Sequence, residues 1–145
     1  MTWGLCRNYI QDRIADTSFD YTEFKEAFSI ESNAGSILDR SYHIGAPQLT
    51  LSPVNDVLYD DIVNIDITFA YRGYNCPQDK IYEVIDEVEC IRRHLLDKKN
   101  IATAGFNDVF GSTVVTEQLT GDNDNAFTIT VGLSFRLFIR SGDNP

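Results

Sequence analysis

The chain has 145 residues, of which 43% are hydrophobic and 12% aromatic, and these fractions are typical of a folded domain. Its 22 acidic and 12 basic residues give a net charge of −10, which argues against direct binding of nucleic-acid phosphates. No apolar run approaches the roughly 20 residues that span a bilayer, and residues 1–20 lack the order of a signal peptide. We therefore expect no membrane partner and assembly in the cytoplasm.

The N-terminal third is predicted to contain a short helix followed by an extended segment. Apolar side chains recur at helical spacing over residues 2–14, whereas residues 21–28 are barely two turns long and stay ambiguous. Residues 39–51 are predicted to be extended, and Pro47 limits them to a sheet edge or a strand end. Residues 52–60 follow as a loop or as the tip of a long hairpin.

The middle of the chain predicts a strand followed by a long helix. Apolar and polar side chains alternate over residues 61–72, as they do in a strand with one buried face. Pro77 suits the first position of a helix that continues to about residue 97. The apolar stripe of this helix has a period of three to four residues and consists of Ile81, Val84, Ile85, Val88, Ile91 and Leu95.

The C-terminal third ends in the clearest pattern of the sequence. Residues 101–107 are compatible with a strand or a loop, residues 109–119 predict a third strand, and residues 120–125 predict a turn. Residues 126–140 alternate throughout and predict one strand of roughly 50 Å. Because a domain of this size can hardly cover so long a strand, we expect another copy or a partner to cover part of it. The candidate subunit-seam residues on this strand are Phe135, Leu137, Phe138 and Ile139.

The order of elements predicts a single α+β domain over residues 1–145. Two pairs of strands flank a central helix, so the simplest topology is a mostly antiparallel four-stranded sheet. One long helix packs on one face of that sheet, and a short helix precedes it at the N-terminus. The other face has mixed polarity and is expected to meet solvent, a channel or a neighbour.

No group of residues in the sequence predicts catalysis, a cofactor or a metal site. The cysteines Cys6, Cys76 and Cys90 lack the spacing of a zinc or redox site, and we expect buried free thiols. His43 and His94 are expected to lie at the surface, and no nucleophile motif accompanies them. Residues 121–125 alternate Asp and Asn, but they lack the remaining ligands of a calcium loop and predict a hairpin turn.

The layout resembles the tail terminator, or tail completion, proteins of long-tailed bacteriophages. The resemblance lies in the order of elements, in the strand at 61–72 leading into the helix at 77–97, and in a final strand containing Leu-Ser-Phe-Arg-Leu at 133–137. It implies a non-enzymatic virion protein that forms a hexameric ring at the neck. Such a ring docks on the last ring of tail-tube protein, ends tube polymerisation and meets the head–tail connector, while DNA passes through its hole.

The charge of the chain shapes what such a ring would look like. Six copies at −10 each would repel one another wherever their charges approach within about 8–10 Å. We therefore expect apolar seams, with carboxylates at the rims and in the hole, and assembly that salt helps or leaves unchanged. Candidate contacts between adjacent rings are the acidic loop residues Asp56, Asp60, Asp61, Asp122 and Asp124.

Two functions from other classes remain open at this point. A small-molecule-binding α+β domain would place convergent polar groups in a pocket between the helix and the sheet. An acidic DNA mimic that inhibits a nucleic-acid-binding enzyme would arrange carboxylates in rows on one surface. The small-molecule-binding domain predicts a monomer or a dimer, and a monomer would favour either alternative, whereas the tail terminator resemblance predicts a hexamer.

Overall fold

The computed structural model describes residues 2–25, 39–53, 58–72, 78–106, 108–111, 115–120 and 125–140. Within these residues the chain forms three helices, which are α1 (Thr2–Asp16), α2 (Gln78–Leu95) and α3 (Lys98–Ala104). It also forms seven strands, which are β1 (Thr22–Glu23), β2 (Ser41–Ile44), β3 (Gln48–Pro53), β4 (Leu58–Arg72), β5 (Asp108–Gly111), β6 (Val115–Thr120) and β7 (Asn125–Arg140).

A long antiparallel ladder between β4 and β7 organises the sheet. Fifteen consecutive residue pairs join the two strands, from Leu58 opposite Arg140 to Arg72 opposite Ala126. Strands β2 and β3 follow each other along the outer edge of β4, and β5 and β6 both pair along the outer edge of β7. The two-residue strand β1 pairs with β2 in the parallel direction. All seven described strands therefore belong to one mixed sheet.

A β-bulge separates β2 from β3. Ile44 pairs with Ile67 and Gln48 pairs with Asn64, so three residues between the strands face two residues on β4. The Gly45 N–H donates to the Asp66 carbonyl at 2.8 Å. A Cβ atom at residue 45 would lie 3.1 Å from that carbonyl oxygen, and this close approach explains the glycine. The pairing register along β7 shifts by one residue in the same way between β5 and β6.

The fold is α+β, but the prediction of a mostly antiparallel four-stranded sheet with one long helix and a short N-terminal helix is wrong. Register shifts divide two of the predicted strands, and β1 is too short to show a period. Residues 101–104, from the segment 101–107 predicted as a strand or a loop, instead belong to α3. The Asp97 side chain caps this helix by accepting from the Lys99 N–H, and Gly105 ends it at a φ of 92°.

The core lies between the helices and one face of the sheet. The odd-numbered residues from Val63 to Tyr71 on β4 and from Ile129 to Phe135 on β7 pack in the core with α1 and α2, and they are almost completely buried. Edge-to-face contacts join Tyr9 of α1 to Phe106 and Phe135, and the Tyr9 hydroxyl donates to the Leu95 carbonyl of α2. In the described part of the chain, no helix combines the length and the apolar composition needed to cross a membrane.

Candidate interaction surface

The sheet face opposite the helices is the candidate functional site, and we call it the open face. On β4, β5 and β7 it comprises the described side chains that alternate with the core positions facing the helices: Ile62, Asn64, Asp66, Thr68, Ala70, Asp108, Phe110, Thr128, Thr130, Ser134 and Arg136. The described helices contact the core positions instead. Asp66 and Phe110 are exposed, Ala70 and Thr128 at one end of the face are buried, and the others are partly exposed.

Hydrogen bonds across the central ladder hold the polar part of the open face. The Ser134 hydroxyl donates to Oδ1 of Asn64 at 2.5 Å. Farther along the ladder, the hydroxyls of Thr68 and Thr130 are 3.4 Å apart. Cross-strand pairs of this kind fix the register of a sheet and stiffen it. The open face is thus a firm polar platform.

A groove crosses the platform at the end where β5 pairs with β7. It has a volume of about 450 Å³ and is lined by Ile62, Asn64, Phe110, Ser134 and Arg136. Phe110 is 51% exposed although it is a large aromatic side chain. An exposed aromatic beside an arginine is the composition of residues that dominate protein–protein binding energies. The groove therefore makes the open face the candidate binding surface.

A second polar cluster lies on the helix side and fastens α2 to the start of β2. Arg40 donates to the Glu87 carboxylate through Nε at 2.9 Å and through Nη2 at 2.7 Å. The Tyr21 hydroxyl lies 2.6 Å from that of Tyr71 and donates to Glu87 at 3.3 Å. Burial raises the pKa of Tyr71 and of Tyr21 well above the usual range.

The charges in this cluster are mutually satisfied. The hydrogen bond to Glu87 raises the pKa of Arg40 further above its usual value, so the guanidinium stays charged. Glu87 is only 6% exposed and Arg40 supplies its counter-charge. The cluster is therefore a structural clamp between elements that are far apart in sequence. No pattern in the sequence pointed to it, because a pair separated by 47 residues leaves no periodic signal.

The acidic residues predicted to contact adjacent rings are only partly within the described structure. Asp60 and Asp61 belong to β4, where they pair with Phe138 and Leu137, so they lie in the ladder rather than in a loop. Asp56, Asp122 and Asp124 lie outside the described residues.

The four predicted seam residues divide into two groups. Phe135 is 1% exposed and packs on Tyr9 and Phe106 of its own chain, so it contributes to the core of one subunit. Leu137, Phe138 and Ile139 continue β7 beyond it and pair with β4. Any role of the strand in a subunit seam therefore depends on these three residues, and this role stays a prediction.

The sequence patterns did not single out Phe110, the most exposed residue of the groove. A signal was present, since Phe110 follows the buried Val109 and therefore falls on the polar side of a strand. The irregular alternation of the predicted strand at 109–119 concealed it. Arg136 was assigned to the polar side of the last strand, and the structure places it beside Phe110 in the groove.

The histidines and cysteines are dispersed over the described structure. His43 is partly buried, and its Nδ1 lies 2.9 Å from the Phe24 carbonyl oxygen. Nε2 of His94 lies 3.3 Å from the Asp16 carboxylate. Cys6 is buried, but Cys90 is exposed on α2, so its predicted burial is wrong; Cys76 lies outside the described residues. Among the described residues, no three acidic, histidine or cysteine side chains are grouped closely enough to hold a metal ion.

Comparisons with known proteins give no relative. No model of a known protein family matches the chain, and a comparison with curated proteins finds no similar sequence. A function is therefore proposed from the fold, from the chemistry of the open face and from the resemblance described under the sequence.

Proposed function

We propose that this chain is a non-enzymatic assembly protein of phage virions. In this proposal six copies form a ring at the top of a tail, end polymerisation of the tail tube and join the tail to the connector of the head. DNA passes through the hole without sequence-specific binding. The resemblance of the chain to tail terminator proteins supplies the biological setting of the proposal.

The observation that carries the proposal is a long sheet whose described helices all pack on the same face. The β4–β7 ladder has fifteen residue pairs, and its open face presents Phe110 at 51% exposure. Phe110 lies beside the groove on this face, where a partner would contact it. This arrangement favours a protein that binds other proteins through its sheet.

The length of the ladder adds a second argument for assembly. The ladder continues for five residue pairs beyond the Val63–Phe135 pair, which is about 17 Å at 3.4 Å per residue. The predicted seam residues Leu137, Phe138 and Ile139 lie on this continuation. A neighbouring subunit in a ring is the partner that would cover this part of β7.

The experiment that tests the ring is a measurement of the number of subunits. The purified chain should elute as a species of six copies by light scattering and native mass spectrometry, and electron micrographs should show rings with a central hole. Six times the chain mass of 16.4 kDa is about 98 kDa. A monomer or a dimer at every concentration up to about 100 μM would refute the ring.

The tail function needs a separate experiment. Purified tail-tube protein of the phage that encodes the chain should polymerise into tubes of uncontrolled length. Adding the chain should stop growth and leave a ring at one end of each tube, with shorter tubes at higher ratios of chain to tube protein. Tubes of unchanged length, with no ring at the end, would refute the terminator role even if the chain is hexameric.

The groove is the one observation that favours a second candidate, a small-molecule-binding domain. Asn64, Ser134 and Arg136 would offer polar contacts there, and Ile62 and Phe110 would offer apolar ones. The groove lies on the open face and not between helix and sheet, where this alternative expected its pocket. A monomer that is stabilised by a small anionic aromatic compound such as benzoate would favour this alternative over the ring.

A further inference from the structure

We propose that His94 is a pH-sensitive joint between the three helices, and that its protonation releases the start of α3 from the end of α2. The inference goes beyond the proposed assembly function and does not depend on it. It is carried by the hydrogen bonds of the two ring nitrogens, one directed toward α1 and the other toward α3.

The imidazole of His94 lies where the three helices meet. His94 is the second-last residue of α2, and its Nε2 lies 3.3 Å from Oδ2 of Asp16, the last residue of α1. On the other side of the ring, Nδ1 lies 3.4 Å from Nδ2 of Asn100 in α3. The His94 side chain is 34% exposed, so protons from solvent reach it.

The Asn100 amide determines which ring nitrogen carries the proton. Its Nδ2 also donates to the His94 carbonyl oxygen at 3.1 Å. The opposite orientation of the amide would set Oδ1 against that carbonyl oxygen, so the amide nitrogen belongs at this position. Its second hydrogen points to Nδ1 of His94, which must therefore accept. Neutral His94 is thus the Nε2–H tautomer, which donates to Asp16 and accepts from Asn100.

Protonation of the ring breaks this arrangement on the side of α3. Histidine is the side chain that gains a charge as the pH falls from 8 to 5. A protonated imidazole donates from both nitrogens and accepts at neither, so Nδ1–H would face the N–H of Asn100. If the amide turned over, Oδ1 would accept from the ring, but the bond to the His94 carbonyl would be lost. In either case Asn100 gives up one of its two bonds to the end of α2.

The charges around His94 favour the contact with α1 over the contact with α3. The hydrogen bond from His94 holds the pKa of Asp16 below its usual value, so this carboxylate stays charged and attracts a protonated ring. Arg13 lies 2.9 Å from the same carboxylate oxygen and moderates the attraction. The sequence of α3, Lys-Lys-Asn-Ile-Ala-Thr-Ala, has no carboxylate and two lysines, and the carboxylate of Asp97 already caps its backbone. Protonation therefore strengthens one helix contact and weakens the other.

The length of α3 makes it sensitive to the loss of one bond. A helix of seven residues has about two turns and depends on contacts at its ends. Its far end is fixed by Ile101 and Phe106, which are buried in the core, whereas its start is held by the Asp97 cap and by Asn100. The joint therefore lies in the connection between α2 and β5, the strand that carries Phe110 of the groove.

Nuclear magnetic resonance of the wild-type chain tests the tautomer. The chain has two histidines, so selective ¹⁵N labelling of histidine gives two rings, and a His94→Gln variant identifies the signals of His94. At pH 8 the ¹⁵N shifts of His94 should show a protonated Nε2 and an unprotonated Nδ1. A ring protonated on Nδ1 at this pH would overturn the proposal, because it could not accept from Asn100.

Hydrogen exchange tests the release of α3. Mass spectrometry should show that the protection of the α3 amides, corrected for the intrinsic exchange rate at each pH, falls about fivefold from pH 7.5 to 5.5, as expected for the loss of one ordinary hydrogen bond. The α2 amides of the same molecule are the internal reference and should keep their protection. Unchanged protection of α3, or an equal fall in α2, would overturn the proposal.

Two variants assign the response to one side chain. His94→Gln should abolish the pH dependence of α3, because glutamine does not titrate. His43→Gln is the matched control, since His43 contacts the Phe24 carbonyl oxygen rather than α3, and it should keep the fivefold response. A His94→Gln variant that keeps the response would overturn the proposal, and the wild-type comparison of α3 with α2 decides the question even if this variant does not fold.

Discussion

The Arg40–Glu87 ion pair gives the sharpest test of how this fold is held together. The two partners differ in their surroundings: the Glu87 side chain is 8% exposed, whereas the Arg40 side chain is 29% exposed. Arg40 also lies 3.2 Å from Asp39 and 3.3 Å from Glu83. We therefore expect the two single substitutions Arg40→Met and Glu87→Met, which keep the aliphatic stems, to have unequal effects.

The magnitudes follow from what each substitution leaves behind. Among the described residues, Arg40→Met leaves the buried Glu87 carboxylate with the Tyr21 hydroxyl as its hydrogen-bond donor, at 3.3 Å, and breaking a buried pair in this way costs about 3 kcal/mol. Glu87→Met leaves a guanidinium that still has water and two carboxylates, so its cost is about 1 kcal/mol. The double substitution removes the unpaired carboxylate, so it should lower the free energy of unfolding by less than Arg40→Met alone.

The assay is urea unfolding at pH 7, followed by far-ultraviolet circular dichroism and by the fluorescence of Trp3, the single tryptophan. Each variant is measured at two protein concentrations, because assembly would add a concentration-dependent contribution to stability. In thermal unfolding, Arg40→Met should lower the midpoint by about 6–12 °C. A Glu87→Met variant that loses as much stability as Arg40→Met, or additive losses in the double variant, would refute the reasoning.

Two further predictions concern buried tyrosines and glycines. Burial raises the pKa of Tyr9 and Tyr42 to about 12. In the unfolded chain these hydroxyls lose their protons near pH 10. The free energy of unfolding should therefore fall above pH 10, by about 1.4 kcal/mol per pH unit for each tyrosine. Urea unfolding from pH 9 to 12 measures this slope, and a flat profile would contradict it. Gly111→Ala should destabilise by about 1 kcal/mol, since its Cβ would lie 3.1 Å from Nε of Arg92. Gly4→Ala should instead stabilise the fold by up to about 1 kcal/mol, because Gly4 lies in α1 with no atom within 4 Å of its Cβ position. The same urea titration measures both glycine substitutions. Changes of the same sign in their free energies of unfolding would contradict the expected contrast.

Local periodicity predicted the elements that are long enough to repeat their hydrophobic pattern several times. The strand predicted at 126–140 corresponds to β7, and the helix predicted at 77–97 corresponds to α2, each within two residues at either end. Alternation cannot reveal where a strand changes register against its partner, so the division of β2 from β3 was missed. The capped turn that begins α3 was also missed, because seven residues give less than two full periods.

The candidate site was harder to predict than the fold. The open face was expected as a sheet surface of mixed polarity, but its groove depends on which strands are neighbours. Phe110 and Ile62 are 48 positions apart in sequence and meet only because β4, β7 and β5 are adjacent in the sheet. Contacts of this kind arise from tertiary pairing, and a single sequence holds no periodic trace of them.

The two register shifts occur at the same level of the sheet, on either side of the row where Asp66 pairs with Gly132. The strands along each side of the β4–β7 pair therefore shift their register by one residue about halfway along its length. A strand of another molecule that bonded to one half of a border would be out of step with the other half. Uncontrolled growth into fibrils by pairing of sheet edges is thereby discouraged.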